Sequence, residues 1–394
     1  KRQPHWVPTT TVAGTVDSSL ALHGNRETLP VAVSPLPTRF PCRWWSPVDE
    51  TPVSRLEPMN ESRGEAVDEV APVTTPGTRP TGFARLVPYV RIMRVDHWFK
   101  NVFVLPGIVV AISSQESVEW PDLARNVIIG MIAVCIIASS NYVINEVLDA
   151  PFDQHHPVKR HRPVPSGLID VRLAYVQWIL LMLIGLGLGA LVSLPMTLAL
   201  AGLWIAGCAY NIPPVRTKDV PYLDVLTESI NNPLRMLIGW YMVPNSPTPP
   251  VSLLISYWMI GCFFMGLKRF AEYRDMADRR DEQIRYRRSF AVYTEQSLLV
   301  SIMFYASSAM LFFGAFVQRY RIELILSFPL VALIMAIYFR LAFQSASPVE
   351  HPEKLYREKG LMLAVVSCST LMVVLLFVNI PALADMFPMS AWNR

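Results

Sequence analysis

Charge is scarce in this chain: of 394 residues, 17% are charged while 52% are apolar. Ordinary soluble domains carry about 25% charged residues, so a string of soluble domains, which the length alone would allow, is excluded. Paired cysteine spacing is lacking too. The five cysteines, Cys42, Cys135, Cys208, Cys262 and Cys368, form no CxxC and mostly fall inside apolar runs. They read as small packing residues, not as a disulfide or zinc framework. Histidines gather only at His155, His156 and His161, without the further ligands that zinc requires. A net charge of +4 is small, and no nucleic-acid partner is expected.

What the chain has instead is apolar length. Runs of about 20 residues, enough to span a bilayer, recur near Val90 to Ser113, Asn126 to Leu148, Leu173 to Leu194, Pro195 to Asn211, Tyr222 to Val243, Val251 to Phe270, Glu295 to Gln318, Ile322 to Ala342 and Leu361 to Met386. The expected architecture is all-α: a polytopic membrane protein of nine transmembrane helices. Loops after even-numbered helices hold Lys159, Arg160, Arg162 and Arg172, then Arg216 and Lys218, then the arginine-rich stretch from Lys268 to Arg288, then Lys354, Arg357 and Lys359. The opposite loops offer Arg125, Arg319 and Arg321. This asymmetry predicts that the even loops and the N-terminus are cytoplasmic.

Residues 1–84 hold much of the proline, with Ser, Thr and scattered charge but no sustained period and no unbroken h-region of a signal peptide. Such a segment cannot bury enough apolar surface to offset its ordering entropy. A disordered extension is expected there, ahead of a transmembrane domain over residues 85–394. The first methionine is Met59, and translation is expected to start at it; an intact mass that includes earlier residues would refute this. Trp6, Trp44 and Trp45 are unusual in a disordered tail and admit a docking segment instead.

The densest chemical signal is NEVLDAPFD, where Asn145, Asp149 and Asp153 recur every four residues at the end of a membrane helix. Residues four apart share a helix face. Two carboxylates stacked there repel, and are costly to desolvate unless they hold a divalent cation or face a wet cavity. Pro151 inside the motif predicts a kink or a helix end, leaving Asp153 one turn on at the membrane surface. Lys159, Arg160 and Arg162 follow directly. Acids for a hard cation beside clustered bases suit a diphosphate bridged to the protein through Mg2+ and held by direct ion pairs. A helix end with a positive-inside loop accounts for the bases but not for the spaced acids.

Three further segments place polar groups at membrane depth. In RVDHWFKN an interfacial anchor explains Trp98 and Lys100, while a polar cavity suits Asn101 better. Between helices four and five lie Tyr210, Arg216, Lys218 and Asp219, followed within an apolar helix by Asp224, Glu228, Asn231, Asn232 and Arg235. Such groups are expensive unless they face a cavity or one another, and a Glu228 to Arg235 network is the competing structural explanation. Lys268, Arg269 and Glu272 close helix six, with Lys268 and Glu272 one turn apart and able to pair. Many of the arginines that follow suit orientation signals or lipid headgroups.

Taken together these segments resemble the UbiA superfamily of intramembrane prenyltransferases, over roughly residues 86–390. The resemblance implies nine helices around a polar cavity, a first acidic motif NDxxDxxxD after helix two and a second after helix six. Here Glu146 stands where the family usually has Asp, while Asn145, Asp149 and Asp153 are intact. The second motif departs further, because KRFAE replaces the DxxxD of aromatic prenyltransferases. RVDHWFKN, HPVKRHRPVPSG and KRFAE look most like the decaprenyl-phosphate phosphoribosyltransferase branch, where similar stretches read RPxQWVKN, HPTKRxRP and KRYAE.

That branch implies a polyprenyl phosphate attacking C1 of phosphoribosyl diphosphate with loss of pyrophosphate, at the cytoplasmic face of a bacterial plasma membrane. By this resemblance Asn145, Asp149 and Asp153 hold Mg2+ and the donor diphosphate, and Lys159, Arg160, Arg162 and Lys218 hold phosphates. Lys268 and Arg269 orient the sugar phosphate or lipid phosphate, with Glu272 positioning them or a ribose hydroxyl. The implied substrate-facing set also takes in Lys100, Asn101, Glu146, Tyr210, Asp224, Asn231, Asn232, Arg235 and Tyr293. Helix five departs from the branch, reading ESINNPLRMLIGW where the branch has a more apolar stretch ending in RAIAGG, so the sugar or acceptor can differ.

The partners implied are a polyprenyl phosphate, a soluble diphosphate donor and membrane lipids, with homo-oligomerisation left open. Two readings compete with this one. A prenyltransferase would move a prenyl group from a polyprenyl diphosphate to an aromatic or other acceptor. A transporter with an acidic coupling-ion stripe would need inverted repeats with broken helices in both halves, and no convincing repeat is visible.

Overall fold

The computed structural model describes residues 85–154, 159–344, 347–350 and 352–387. Met59, the three N-terminal tryptophans, and His155 and His156 lie outside them. No strand occurs among the described residues. The helices are α1 (Val87–Arg91), α2 (Leu105–Ser113), α3 (Trp120–Asp153), α4 (Val171–Ala190), α5 (Leu194–Asn211), α6 (Leu223–Ser229), α7 (Asn231–Trp240), α8 (Val251–Asp275), α9 (Arg280–Tyr286), α10 (Glu295–Tyr320), α11 (Phe328–Leu341), α12 (Lys359–Phe377) and α13 (Pro381–Met386).

Eight stretches of the described residues are long and apolar enough to cross a membrane, and the chain is an integral membrane protein. The first, Val87–Ser113, joins α1 and α2 through a 3-10 stretch, Val95–Val104. The difference from the nine expected helices lies in the fifth span, which forms as α6 and α7 with a break at Ile230. Pro233 has no N–H to give the Ser229 carbonyl, and Asn231 Nδ2 bonds the neighbouring Glu228 carbonyl at 3.0 Å.

The 34 residues of α3 extend about 50 Å at 1.5 Å per residue, well beyond the roughly 30 Å hydrocarbon core. Its last turns therefore rise into the polar zone with the acidic stripe. Pro151 does not end it. Sitting in the last turn, Pro151 deprives only the Val147 carbonyl of its donor, and helix continues to Asp153.

Around α7 pack α2, α3, α5 and α8, together with the 3-10 stretch. The approach is close because two positions lack a Cβ: one added at Gly107 would collide with the Met236 carbonyl, and one at Gly239 with the Val104 carbonyl. Backbone contact here draws Asn101 toward Arg235. A third such contact sets α5 against α3, where Gly207 leaves room for Asn141. One turn on, Asn145 meets Asn211. Outward, α4 shows Leu173, Val176, Leu180, Leu183 and Ile184, an apolar face suited to lipid.

Candidate active site

At the end of α3 the stripe meets a shell of cations. Asp149 Oδ1 accepts from Lys218 Nζ at 2.5 Å and from Arg216 at 3.1 Å, while its Oδ2 accepts from Asn145 Nδ2 at 3.2 Å. Asn145 Nδ2 also donates to Asn211 Oδ1 at 2.5 Å, and that oxygen takes a second bond from Lys218 at 3.1 Å. Burial pushes the Lys218 ammonium below the ordinary lysine range, against the pull of Asp149. Asp153 pairs with Arg162 at 2.6 Å. It is only 6% exposed, because α3 continues through Pro151 to Asp153 and brings the carboxylate against Arg162. Lys159 lies over the Tyr286 ring at 5.1 Å; burial lowers its pKa while Asp153 raises it. Arg160 is exposed, bonds the adjacent His161 and is not gathered in.

A second cluster is built around Arg269, which is 1% exposed. Its guanidinium reaches Glu228 at 2.5 Å, Glu272 at 2.9 Å and Asp224 at 3.4 Å. Tyr210 donates to Glu228 at 2.9 Å. Tyr293 and Ser289 donate to Asp224 at 2.7 and 3.1 Å. Lys268 stands 3.9 Å from Glu272, and Arg287 stands 3.6 Å from Asp224. Three carboxylates thus answer three cations, and buried charges persist when so paired. This corrects the reading of Arg269 as a phosphate ligand: enclosed on all sides, it positions Glu228 and Glu272. Asp224 and Tyr293, both buried, belong to the same scaffold and face no open cavity.

Glu146 also departs from its expected role. Its carboxylate is 2% exposed, accepts from the Val164 N–H at 3.2 Å and lies 3.6 Å from Arg94, so it fastens the loop after α3 away from the stripe. The Glu228 to Arg235 pair of the competing structural explanation does not form. Arg235 Nε donates to Asn101 Oδ1 at 3.0 Å, and Asn101 Nδ2 to Cys135 Sγ at 3.2 Å. Asn232 lies against Gly261 of α8, and Lys100 Nζ is 3.4 Å from His97 Nδ1.

The model of the UbiA prenyltransferase family matches residues 101–357, well over half of the chain. The chain belongs to this family. Its curated relatives include a decaprenyl-phosphate phosphoribosyltransferase of Mycolicibacterium smegmatis, 28% identical over 210 residues covering 53% of this chain and 63% of that protein. A protein of the same name from Corynebacterium glutamicum is 28% identical over 193 residues, covering 46% and 54%. The match thus spans less than two thirds of either relative, and it falls in the branch that the motifs suggest. A UbiA homologue from Archaeoglobus fulgidus, solved with GPP and Mg2+, shares the fold at a TM-score of 0.55 and 17% identity, covering 76% of this chain and 99% of that one.

Within this UbiA frame the stripe suits a hard cation. Asn145, Asp149 and Asp153 offer oxygen donors, the type Mg2+ takes, and Mg2+ commonly binds one or two carboxylates and completes its shell with water and substrate phosphate. No group of three His, Cys, Asp or Glu is arranged to hold a metal among the described residues.

Two members of the site escaped the sequence. Asn211 is a neutral amide at the end of an apolar helix, and attention falls on its neighbour Tyr210 and the charges that follow. Arg287 hides in a run of arginines, and the one clue was the need of Asp224 for a cation.

Proposed function

We propose that this protein transfers 5-phosphoribose from phosphoribosyl diphosphate to a polyprenyl phosphate, with Mg2+, at the cytoplasmic face of a bacterial plasma membrane. The observation that carries the reading is the contrast between the two clusters. At the second acidic position the three carboxylates are consumed by Arg269, Arg287 and Lys268, which leaves no open acidic pair for a second metal. The stripe alone then binds a metal-bridged diphosphate, and the surplus of cations around it suits a second anionic substrate.

In this reading Asn145, Asp149 and Asp153 would hold the ion, which supplies charge neutralisation for the departing pyrophosphate. Lys218, Arg216 and Arg162 exchange their carboxylate partners for phosphate oxygens. An ionised oxygen of the lipid phosphate forms a bond to ribose C1 while the C1–O bond to the diphosphate breaks, its electron pair leaving with pyrophosphate. No proton has to move, so positioning and charge stabilisation suffice. Basic residues concentrated in the even-numbered loops support the cytoplasmic orientation.

Incubating membranes that contain the protein with labelled phosphoribosyl diphosphate, Mg2+ and polyprenyl phosphate tests the reading. A labelled sugar-lipid is the expected product. Transfer of a prenyl group in its place would favour the alternative supported by a digeranylgeranylglyceryl phosphate synthase of Sulfurisphaera tokodaii, 33% identical over 107 residues that cover 27% of this chain and 36% of that protein.

A further inference from the structure

Arg235 poses a problem that no other part of the site answers. It sits on α7, which α2, α3, α5 and α8 surround, yet it is only half-buried. Among the described residues it forms no ion pair, and its one hydrogen bond runs to the neutral amide of Asn101. A cation at membrane depth is costly without an anion or water beside it. Arg269, by comparison, has three carboxylates.

The position of Arg235 along the bundle is equally specific. Through Asn101 it is tied to Cys135, and Tyr142 is within its electrostatic reach. Cys135 and Tyr142 precede Asp149 on α3 by fourteen and seven residues, which at 1.5 Å per residue places Arg235 roughly 10 to 20 Å toward the membrane interior from Asp149. Phe99 and Phe103, on the same 3-10 stretch as Asn101, face outward at 58% and 42% exposure, and Phe103 packs edge-on against Tyr257 of α8 at 6.5 Å. An apolar, aromatic flank therefore adjoins the half-buried cation.

We propose that Arg235, held by Asn101, receives a phosphate monoester on the membrane side of the reacting carbon, namely the headgroup of the acceptor lipid, whose chain leaves past Phe99 and Phe103. This rests on the phosphoribosyl-transfer reading. Displacement at C1 needs the nucleophile opposite the leaving group; Asp149 and its cations hold the leaving diphosphate at one pole, and Arg235 holds the nucleophilic phosphate at the other. Guanidinium suits the task because it stays charged and offers forked donors to phosphate.

The test is native mass spectrometry of the purified full chain with decaprenyl phosphate and decaprenol in competition, together with KM measurements. Wild type should prefer the phosphate. Arg235→Gln should lose that preference by on the order of tenfold while still binding decaprenol, should raise KM for the lipid phosphate, and should leave KM for phosphoribosyl diphosphate unchanged. Arg235→Lys, which keeps the charge, should retain part of the preference. An unchanged preference in both variants overturns the proposal, as does equal loss of both lipids in both variants. A raised KM for the donor with lipid preference intact gives the site to the donor's 5-phosphate and overturns the acceptor assignment. Because binding is read without turnover, a wild type that selects the phosphate lipid but makes no sugar-lipid would sink the reaction and not the receptor.

Discussion

Arg269 and Arg235 are two arginines on neighbouring helices, with opposite surroundings. The first is closed in by Asp224, Glu228 and Glu272 and is 1% exposed. The second is half-buried, bonded to a neutral amide. Full compensation identifies a charge that builds the scaffold, and incomplete compensation identifies a charge kept for a ligand. The same contrast separates Glu146, fixed to Val164 and Arg94, from Asp149, whose partners Lys218 and Arg216 are themselves suited to phosphate.

The largest effect expected from breaking this contrast is at Asp149. Asp149→Asn removes the charge that a bridging ion requires, so turnover should fall by a hundredfold or more, on the order seen when a group that stabilises the transition state is lost, while thermal unfolding in detergent stays near wild type. Chelation of divalent ions should abolish activity in the same way, with Mg2+ restoring it. Retained turnover in either experiment would remove the metal assignment.

Arg269→Met should act on folding instead. It leaves Asp224 and Glu272 buried, and Glu228 half-buried, without their shared cation, a loss of roughly 3–5 kcal/mol, visible as poor recovery of folded protein from membranes. Arg235→Gln should leave the melting behaviour within about 1 kcal/mol of wild type, the net worth of one hydrogen bond. If the two variants melted alike, the division into scaffold and ligand-facing charge would fail.

The spans were legible because about 20 consecutive apolar residues have few other uses, and the stripe because acids four apart at a membrane helix end need a reason. The interruption of the fifth span was harder to see. Pro233 and two asparagines sit in a run whose overall apolarity still favours a helix, and the break traces to the N–H that Pro233 cannot give the Ser229 carbonyl. At Pro151 the helix-end alternative fails, since a proline in a final turn costs one hydrogen bond and does not stop the helix. The burial of Asp153 against Arg162 depends on that continuation. Pairings across the bundle, such as Arg269 with Asp224 or Asn145 with Asn211, depend on which helices adjoin, and that information is not local.

A smaller effect lies at the edge of the second cluster. Glu350, between α11 and α12, has its carboxyl pushed up to about 7 by burial, with the charges of Asp275 and Glu272 adding to the shift. A raised carboxylate pKa in the folded state means stability that is complete below the unfolded value and lost as pH rises through the folded one. The melting temperature should therefore decline between about pH 4.5 and about 7, and Glu350→Gln should flatten that slope. A slope unchanged in the variant would assign it to another group.

The most direct test of the central claim is a double-label experiment with phosphoribosyl diphosphate carrying one label in the ribose carbons and another in the diphosphate, supplied with unlabelled polyprenyl phosphate and Mg2+. The ribose label should move into the lipid fraction while the diphosphate label appears in water as pyrophosphate, and Asp149→Asn should stop both. A ribose label that stays in the aqueous phase while wild type transfers a prenyl chain to another acceptor would contradict it.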